Sequence, residues 1–229
     1  MKVNPGQTYG VVTGDIVGST QLSASEREAL VGELARASAA LRKAFPDDVP
    51  LPLGIFRGDG WQFLVSRPER SLRMALFIRA WLMAHAPEGR KMDTRLAVAW
   101  GSLTFVPDGN VLAGDGEAYR ASGHALDALK EPQRLALVLL PQQAVLAGAL
   151  AAFAPILDAV VQSWTGRQAR AILGRLQGFT QEAIAEAWPE DVTRQAIAGH
   201  LERAQWGALE GFLSWLEGNF KELLSINAT

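Results

Sequence analysis

Two short stretches hold residues of the types and spacing needed to bind a charged ligand. In the first, Thr13-Gly14-Asp15-Ile16-Val17-Gly18-Ser19-Thr20, an apolar run from Tyr9 to Val12 ends at an acid and a Gly-Ser-Thr turn. An acid at a strand end, beside a turn rich in free N–H groups, suits a metal ion and the phosphates it carries. The second, Phe56-Arg57-Gly58-Asp59-Gly60-Trp61, comes about forty residues later and sets another Asp in a tight turn between apolar runs. Read singly, Asp15 is a capping acid and Asp59 a hairpin-turn acid. Read together, they predict two carboxylates converging on one divalent cation.

Composition narrows the chemistry further. The 229 residues are 48% hydrophobic and 20% charged, as in soluble globular proteins, and suffice for one large domain or two small ones. A net charge of -2 gives no global field toward nucleic acid or an anionic membrane. With no cysteine, disulfides, thiolate metal sites and cysteine nucleophiles are excluded. Three well-separated histidines do not support a zinc site, which leaves a hard cation held by carboxylates. Met1 to Pro5 lacks the apolar core of a signal peptide. The most apolar segment, Leu135 to Val161, is interrupted by Pro141, Gln142, Gln143, Pro155 and Asp158, and reads as a buried strand and a buried helix rather than a membrane span. A cytoplasmic location is the expectation.

The elements that must position the two acids follow from periodicity and caps. Ser23 with Glu26, and Ser25 with Glu28, are overlapping capping boxes ahead of a helix with Leu30, Leu34, Ala37 and Leu41 on one side. Leu53 to Phe56 and Gln62 to Val65 are strands joined by the Asp-Gly hairpin. A helix over Ser71 to His85, a strand over Thr94 to Trp100, a helix from Gly114-Asp115-Gly116-Glu117 to Leu129 and a strand over Leu135 to Leu140 complete this part. The order is a split βαβ pattern, so we expect an α+β fold: a ferredoxin-like antiparallel sheet, with its helices on one face. From Pro141 the signals are all helical: Gln142 to Val161, Arg167 to Gln177, a helix capped by Thr180, and one capped by Thr193 that continues through Trp206 to Phe220. A boundary near Ser163 divides a domain over 1–162 from a helical domain over 163–229.

Asp15-Ile16-Val17-Gly18-Ser19-Thr20 resembles the first metal-binding segment of class III nucleotidyl cyclases, and Gly58-Asp59-Gly60 resembles the hairpin carrying their second metal aspartate. The resemblance covers roughly residues 8–140. It implies a palm-type fold in which Asp15, Ile16 and Asp59 bind Mg²⁺ or Mn²⁺, while Gly18, Ser19, Thr20, Arg57, Gly58 and Trp61 lie against a nucleoside triphosphate. It also implies a homodimer. In such enzymes the metal cradles the triphosphate and activates the ribose hydroxyl for attack. The chain departs from the pattern at Ile55, where the family carries a base-selecting Lys. Tyr119 and Gly123 align with the transition-state Asn and Arg, so Arg120 and His124 are the candidate substitutes. Over its whole length the chain is similar to the SatD-like bacterial family, which shares the Thr-Gly-Asp-Ile-Val-Gly-Ser start, the Phe-Arg-Gly-Asp-Gly hairpin, the Gly-Asp-Gly-Glu-Ala segment and a C-terminal helix-turn-helix.

That last segment, 178–201, resembles the helix-turn-helix of bacterial regulators and implies that Thr193, Arg194 and Gln195 face DNA. Residues 163–229 nevertheless hold six Arg and Lys against eight Asp and Glu, with Glu190 and Asp191 just before the reading helix. DNA binders draw much of their affinity from cations. The same three helices therefore also read as a dimerisation element or as packing against the palm. Three functions remain open: a nucleotide-sensing regulator that contacts DNA, a divergent nucleotidyl cyclase, and a non-catalytic interaction module.

Overall fold

A computed structural model describes residues 2–4, 6–87, 89–139 and 144–225. Gln142 and Gln143, the expected start of the long apolar helix, lie outside them. Eight extended residues form β1 (Tyr9–Ile16), and Ser23 then caps α1 (Ala24–Ala44). The Ser23–Glu26 capping box forms, with Glu26 returning its carboxylate to the Ser23 N–H at 2.8 Å. β2 (Gly54–Phe56) and β3 (Gly60–Val65) make the hairpin, α2 (Ser71–Ala84) follows, and β4 (Thr94–Gly101) returns beside β1. After a small antiparallel pair, β5 (Leu103–Phe105) with β6 (Asp115–Gly116), come α3 (Glu117–Ala128) and β7 (Leu135–Leu139).

The described residues place five strands in one sheet, ordered β2-β3-β1-β4-β7. Among the first four each strand is antiparallel to its neighbours, which reproduces the split βαβ order, while β7 adds in parallel to β4. The fold is α+β and ferredoxin-like, as the sequence predicts. One expectation is corrected: helices cover both faces. Val12, Phe63, Val65, Leu96 and Val98 point to the face shared with α1 and α2. The alternate residues Val11 and Leu64 meet Ala118 and Tyr119 of α3, and Ala97 meets Leu126. The period of two makes each strand residue choose a face, and both sets here are apolar, so both faces need a cover.

The remaining helices are α4 (Ala144–Gln162), α5 (Gly166–Leu176), α6 (Gln181–Glu186), α7 (Arg194–Arg203) and α8 (Trp206–Ser225). The single helix expected from Thr193 to Phe220 is two. Gln205 adopts φ 60, the left-handed conformation that ends a helix, between α7 and α8. One continuous buried cluster runs from Val12 to Phe220, so apolar packing crosses position 163. Arg73 of α2 pairs with Glu217 of α8 at 2.6 Å, and Trp100 of β4 meets Phe220 with ring centroids 5.7 Å apart. The expected buried helix, α4, buries only a stripe that includes Leu150, Ala154 and Leu157; Val145 and Ile156 on its outer side are 85% and 63% exposed. Among the described residues, α4 is the one helix long and apolar enough to cross a membrane by length and composition.

Under the sheet edge lies a buried ionic cluster. Arg79 of α2 is fully buried and grips Asp93 at 2.8 and 3.0 Å and Asp158 of α4 at 2.7 Å. Asp93 also accepts from the Thr94 N–H (2.8 Å) and from Arg134 (2.6 Å), and Asp158 accepts from the Arg134 N–H (2.6 Å) and Gln162 (3.0 Å). Removing one partner of such a group leaves an uncompensated buried charge, at a cost of about 3–5 kcal/mol. Arg79→Ala is therefore expected to lower urea unfolding stability by that amount. Arg167→Ala, which breaks an exposed pair with Glu190, changes little. An Arg79→Ala protein as stable as the parent contradicts this account of the cluster.

Candidate functional site

Strand register sets the site. Asp15 and Arg95 are direct partners across β1 and β4, on the face that α3 covers, opposite the one that α1 and α2 cover. Opposite charges at that spacing pair readily. Arg95 donates through Nε to Asp15 Oδ1 at 2.9 Å and through Nη2 to Oδ2. The hydrogen bond to Asp15 raises the Arg95 pKa further above its already high ordinary value. On the other side of β1, Asp15 faces Gly60, which places the adjacent turn residue Asp59 at the same end of the sheet. Asp59 Oδ2 accepts from Ser19 Oγ.

The chain between the two acids is shaped by backbone geometry. Gly18 takes φ 73, a left-handed value that glycine adopts without a Cβ penalty, and Ser19 to Gln21 form one short 3₁₀ turn. Val17 N–H donates to the Asp93 carbonyl at 3.0 Å, tying the turn to the buried ionic cluster.

These pieces enclose a cavity of about 330 Å³ lined by Asp15, Ile16, Val17, Gly18, Ser19, Thr20, Asp59, Arg95, Glu131, Gln133 and Arg134. The structure thus brings together Asp15, Ile16, Asp59, Gly18, Ser19 and Thr20 from the predicted set. Arg95, Arg134 and Glu131 are additions. Only Arg95 left a trace in the sequence, as a polar residue inside an alternating strand, and nothing local marked it as the partner of Asp15.

Trp61 is corrected. It is fully buried on the α1/α2 face, and its Nε1 donates to Thr94 Oγ1 at 3.0 Å. A Cβ at Gly14 would lie 2.3 Å from its ring, so the glycine before Asp15 makes room for this indole. Trp61 is a core residue and does not line the cavity. Arg57 and Gly58 sit exposed in the hairpin turn with positive φ (54 and 89) and do not line the cavity. Arg120 is exposed and paired with Asp115 at 2.6 Å, and His124 is exposed on α3; neither lines the cavity.

The oxygen-only donor set of Asp15, Asp59 and the Ile16 carbonyl has the chemistry a hard cation prefers. Its arrangement does not match a metal site, because both Asp15 oxygens are engaged by Arg95. Among the described residues no group of three or more His, Cys, Asp or Glu is placed to hold a metal ion. As arranged, the cavity is lined by two guanidinium groups, each already paired with a carboxylate (Arg95 with Asp15, Arg134 with Asp93), and by the three acids Asp15, Asp59 and Glu131.

In the helical part, Thr193, Arg194 and Gln195 are exposed at the start of α7. The Thr193 hydroxyl caps the helix by accepting from the Ala196 N–H at 3.1 Å, and Arg194 pairs with Glu182 at 2.7 Å. Seven residues, 187–193, separate α6 from α7, whereas helix-turn-helix turns have about three or four.

No protein-family model matches the chain, and neither does any curated protein. Among solved structures it is similar to a bacterial light-regulated adenylyl cyclase at 20% identity and TM-score 0.43, covering 57% of this chain and 75% of that one. It is similar to the active GGEEF domain of a diguanylate cyclase from Vibrio cholerae at 16% identity and TM-score 0.42, covering 57% and 83%. A guanylate cyclase domain from Catenaria anguillulae, in complex with GTP, matches at 16% identity and TM-score 0.43, covering 54% and 74%. All three TM-scores lie below 0.5, so the functional reading rests on this chain's own side chains.

Tyr119, aligned with the transition-state Asn, belongs to the core beneath α3. Its hydroxyl has no hydrogen-bond partner, and burial pushes its pKa up to about 12. The neutral phenol is favoured in the native state, so this contribution to stability is fully present below the unfolded value of about 10 and is lost as pH rises to about 12. Tyr119→Phe is expected to flatten the fall in urea midpoint above pH 10 without loss at pH 7. An unchanged slope counts against the burial.

Proposed function

We propose that this chain binds a nucleoside triphosphate, with its phosphates in the cavity between the 15–20 turn and Asp59, and acts as a nucleotide-responsive protein rather than a cyclase. The observation that carries this reading is the convergence of Asp15, Asp59 and the Gly18-Ser19-Thr20 turn on one cavity also lined by Arg95 and Arg134. Guanidinium forks and turn N–H groups match phosphate oxygens. Arg120 and His124 lie outside the cavity, so the chain's own candidates for transition-state stabilisation are not placed to act there. Mg²⁺ or Mn²⁺ enters this reading when Arg95 turns away from Asp15, freeing Asp15, the Ile16 carbonyl and Asp59 to hold it. Arg95, whose side chain is 34% exposed, has room to do so.

Arg95→Ala separates the two contributions. Where Arg95 itself contacts phosphate, the variant binds metal-free tripolyphosphate at least tenfold more weakly by calorimetry. Where a cation does so, Mn²⁺ binding tightens in the same variant. Asp59→Asn is expected to weaken Mn²⁺-dependent triphosphate binding. Parent protein that binds no triphosphate with or without Mn²⁺ refutes the reading.

A second reading, that the helical segment contacts DNA, is supported by the mutual packing of α5, α6 and α7 and by the exposure of Thr193, Arg194 and Gln195. Arg194→Ala and Gln195→Ala are then expected to weaken DNA binding by about 1–3 kcal/mol in gel shifts if they read bases. Parent protein that shifts no DNA at low salt ends that reading.

A further inference from the structure

A larger cavity, of about 910 Å³, lies where the end of α2 and residues 86–91 meet the start of α5 and the segment before α7. Its volume falls at the upper end of small-molecule sites, roughly 300–1,000 Å³. Among the described residues its charged lining is Arg90, Lys91, Arg167 and Arg170, against Glu190 alone. None of these lines the cavity beside Asp15 and Asp59.

The four cations differ in what holds them. Arg167 pairs with Glu190 at 2.6 Å and Arg90 with Glu26 at 2.5 Å, and both arginines are more than half exposed. Exposed pairs of this kind are weak. Lys91 and Arg170 have no carboxylate partner among the described residues. Each instead gives a hydrogen bond to the last carbonyl of a helix: Lys91 Nζ to Gln162 of α4 at 2.8 Å, and Arg170 Nη2 to Ala84 of α2 at 3.0 Å. A cation placed there offsets the partial negative charge of the helix end. An ammonium carries three donors and a guanidinium five, so most of them stay available. Arg170 is also held in place from one side. Its guanidinium lies 5.7 Å from the ring centroid of buried Trp188, which in turn stacks on His200 at 5.9 Å with the rings within 4° of parallel.

We infer that this cavity binds a small organic molecule carrying several phosphate or carboxylate groups. Four cations around one space repel each other, and a single acid in the lining does not balance them. An anion with its charge spread over several oxygens meets them together, and the planar forks of arginine suit either acid group. Pro87, Pro189 and Trp188 give the same cavity apolar surface for a carbon frame. The lining comes from both sides of position 163, so the bound molecule ties the sheet-bearing part to the helical part, and binding raises the stability of the whole chain.

Calorimetry and thermal melts of the full chain with tripolyphosphate and with citrate test this. The double variant Lys91→Gln/Arg167→Gln changes two exposed side chains. It is expected to weaken tripolyphosphate at this site at least tenfold, removing one bound anion per chain and the accompanying rise in Tm. Arg95→Ala leaves this site at the parent affinity, which separates it from the cavity beside Asp15: should the reading of that cavity fail, the parent binds one anion and the double variant none. Citrate bound as strongly as tripolyphosphate supports the site and identifies carboxylates as sufficient; tripolyphosphate bound alone supports it and identifies phosphates. A parent that binds neither anion overturns the site, as does tripolyphosphate binding that is unchanged in the double variant. A DNA gel shift lost in the double variant, with neither anion bound by the parent, also overturns it and gives these cations to nucleic acid.

Discussion

Arg79 is the point on which the geometry of this end of the molecule depends. A fully buried guanidinium is tolerable only when its charge and its N–H donors are met, and here two buried carboxylates meet them. Those carboxylates come from different places: Asp93 from the segment entering β4, and Asp158 from α4. The cluster therefore fixes α2, the start of β4 and α4 relative to one another. Through Arg134 it also holds the chain entering β7, whose carbonyl receives the Leu96 N–H at 2.8 Å.

The turn after β1 is built on this frame. Val17 hangs from the Asp93 carbonyl, and Thr94 donates to the Asp15 carbonyl at 2.5 Å while accepting from Trp61. Ile16 and Val17 thus line both the cavity beside Asp15 and Asp59 and the cavity between α1 and the end of α2. Arg95 and Asp15 neutralise one another across the sheet, so a ligand that enters must compete with an existing pair rather than fill an open charge.

Much of the fold was legible in the chain. The Ser23–Glu26 box, the Asp59-Gly60 hairpin and the alternation over Thr94 to Trp100 encode their elements locally, because caps, turns and side-chain period act over a few residues. That Asp15 and Asp59 line one cavity was legible as well, since each sits at a strand end and the split βαβ order puts those ends together. Trp61 was misplaced because a tryptophan beside an acid looks alike on either face of a strand; its burial depends on the gap that Gly14 leaves on the neighbouring strand. The cover on both sheet faces was missed for a related reason. Small residues such as Ala97 and Ala118 make close packing possible, but a weak apolar signal does not say what packs there.

The sequence by itself determined the list of elements, their order, and the two acidic turns that close one end of the sheet, since each of these follows from interactions between near neighbours. Only the tertiary structure decided that Arg95 takes both oxygens of Asp15, that Arg79 joins residues 14 and 79 positions away, and that Glu33 faces a cavity beside the turn after β1. Those outcomes depend on strand register and helix docking, which place side chains from distant parts of the chain within reach of each other. Burial then forces each charge to find a partner, and the identity of that partner is a property of the assembled fold.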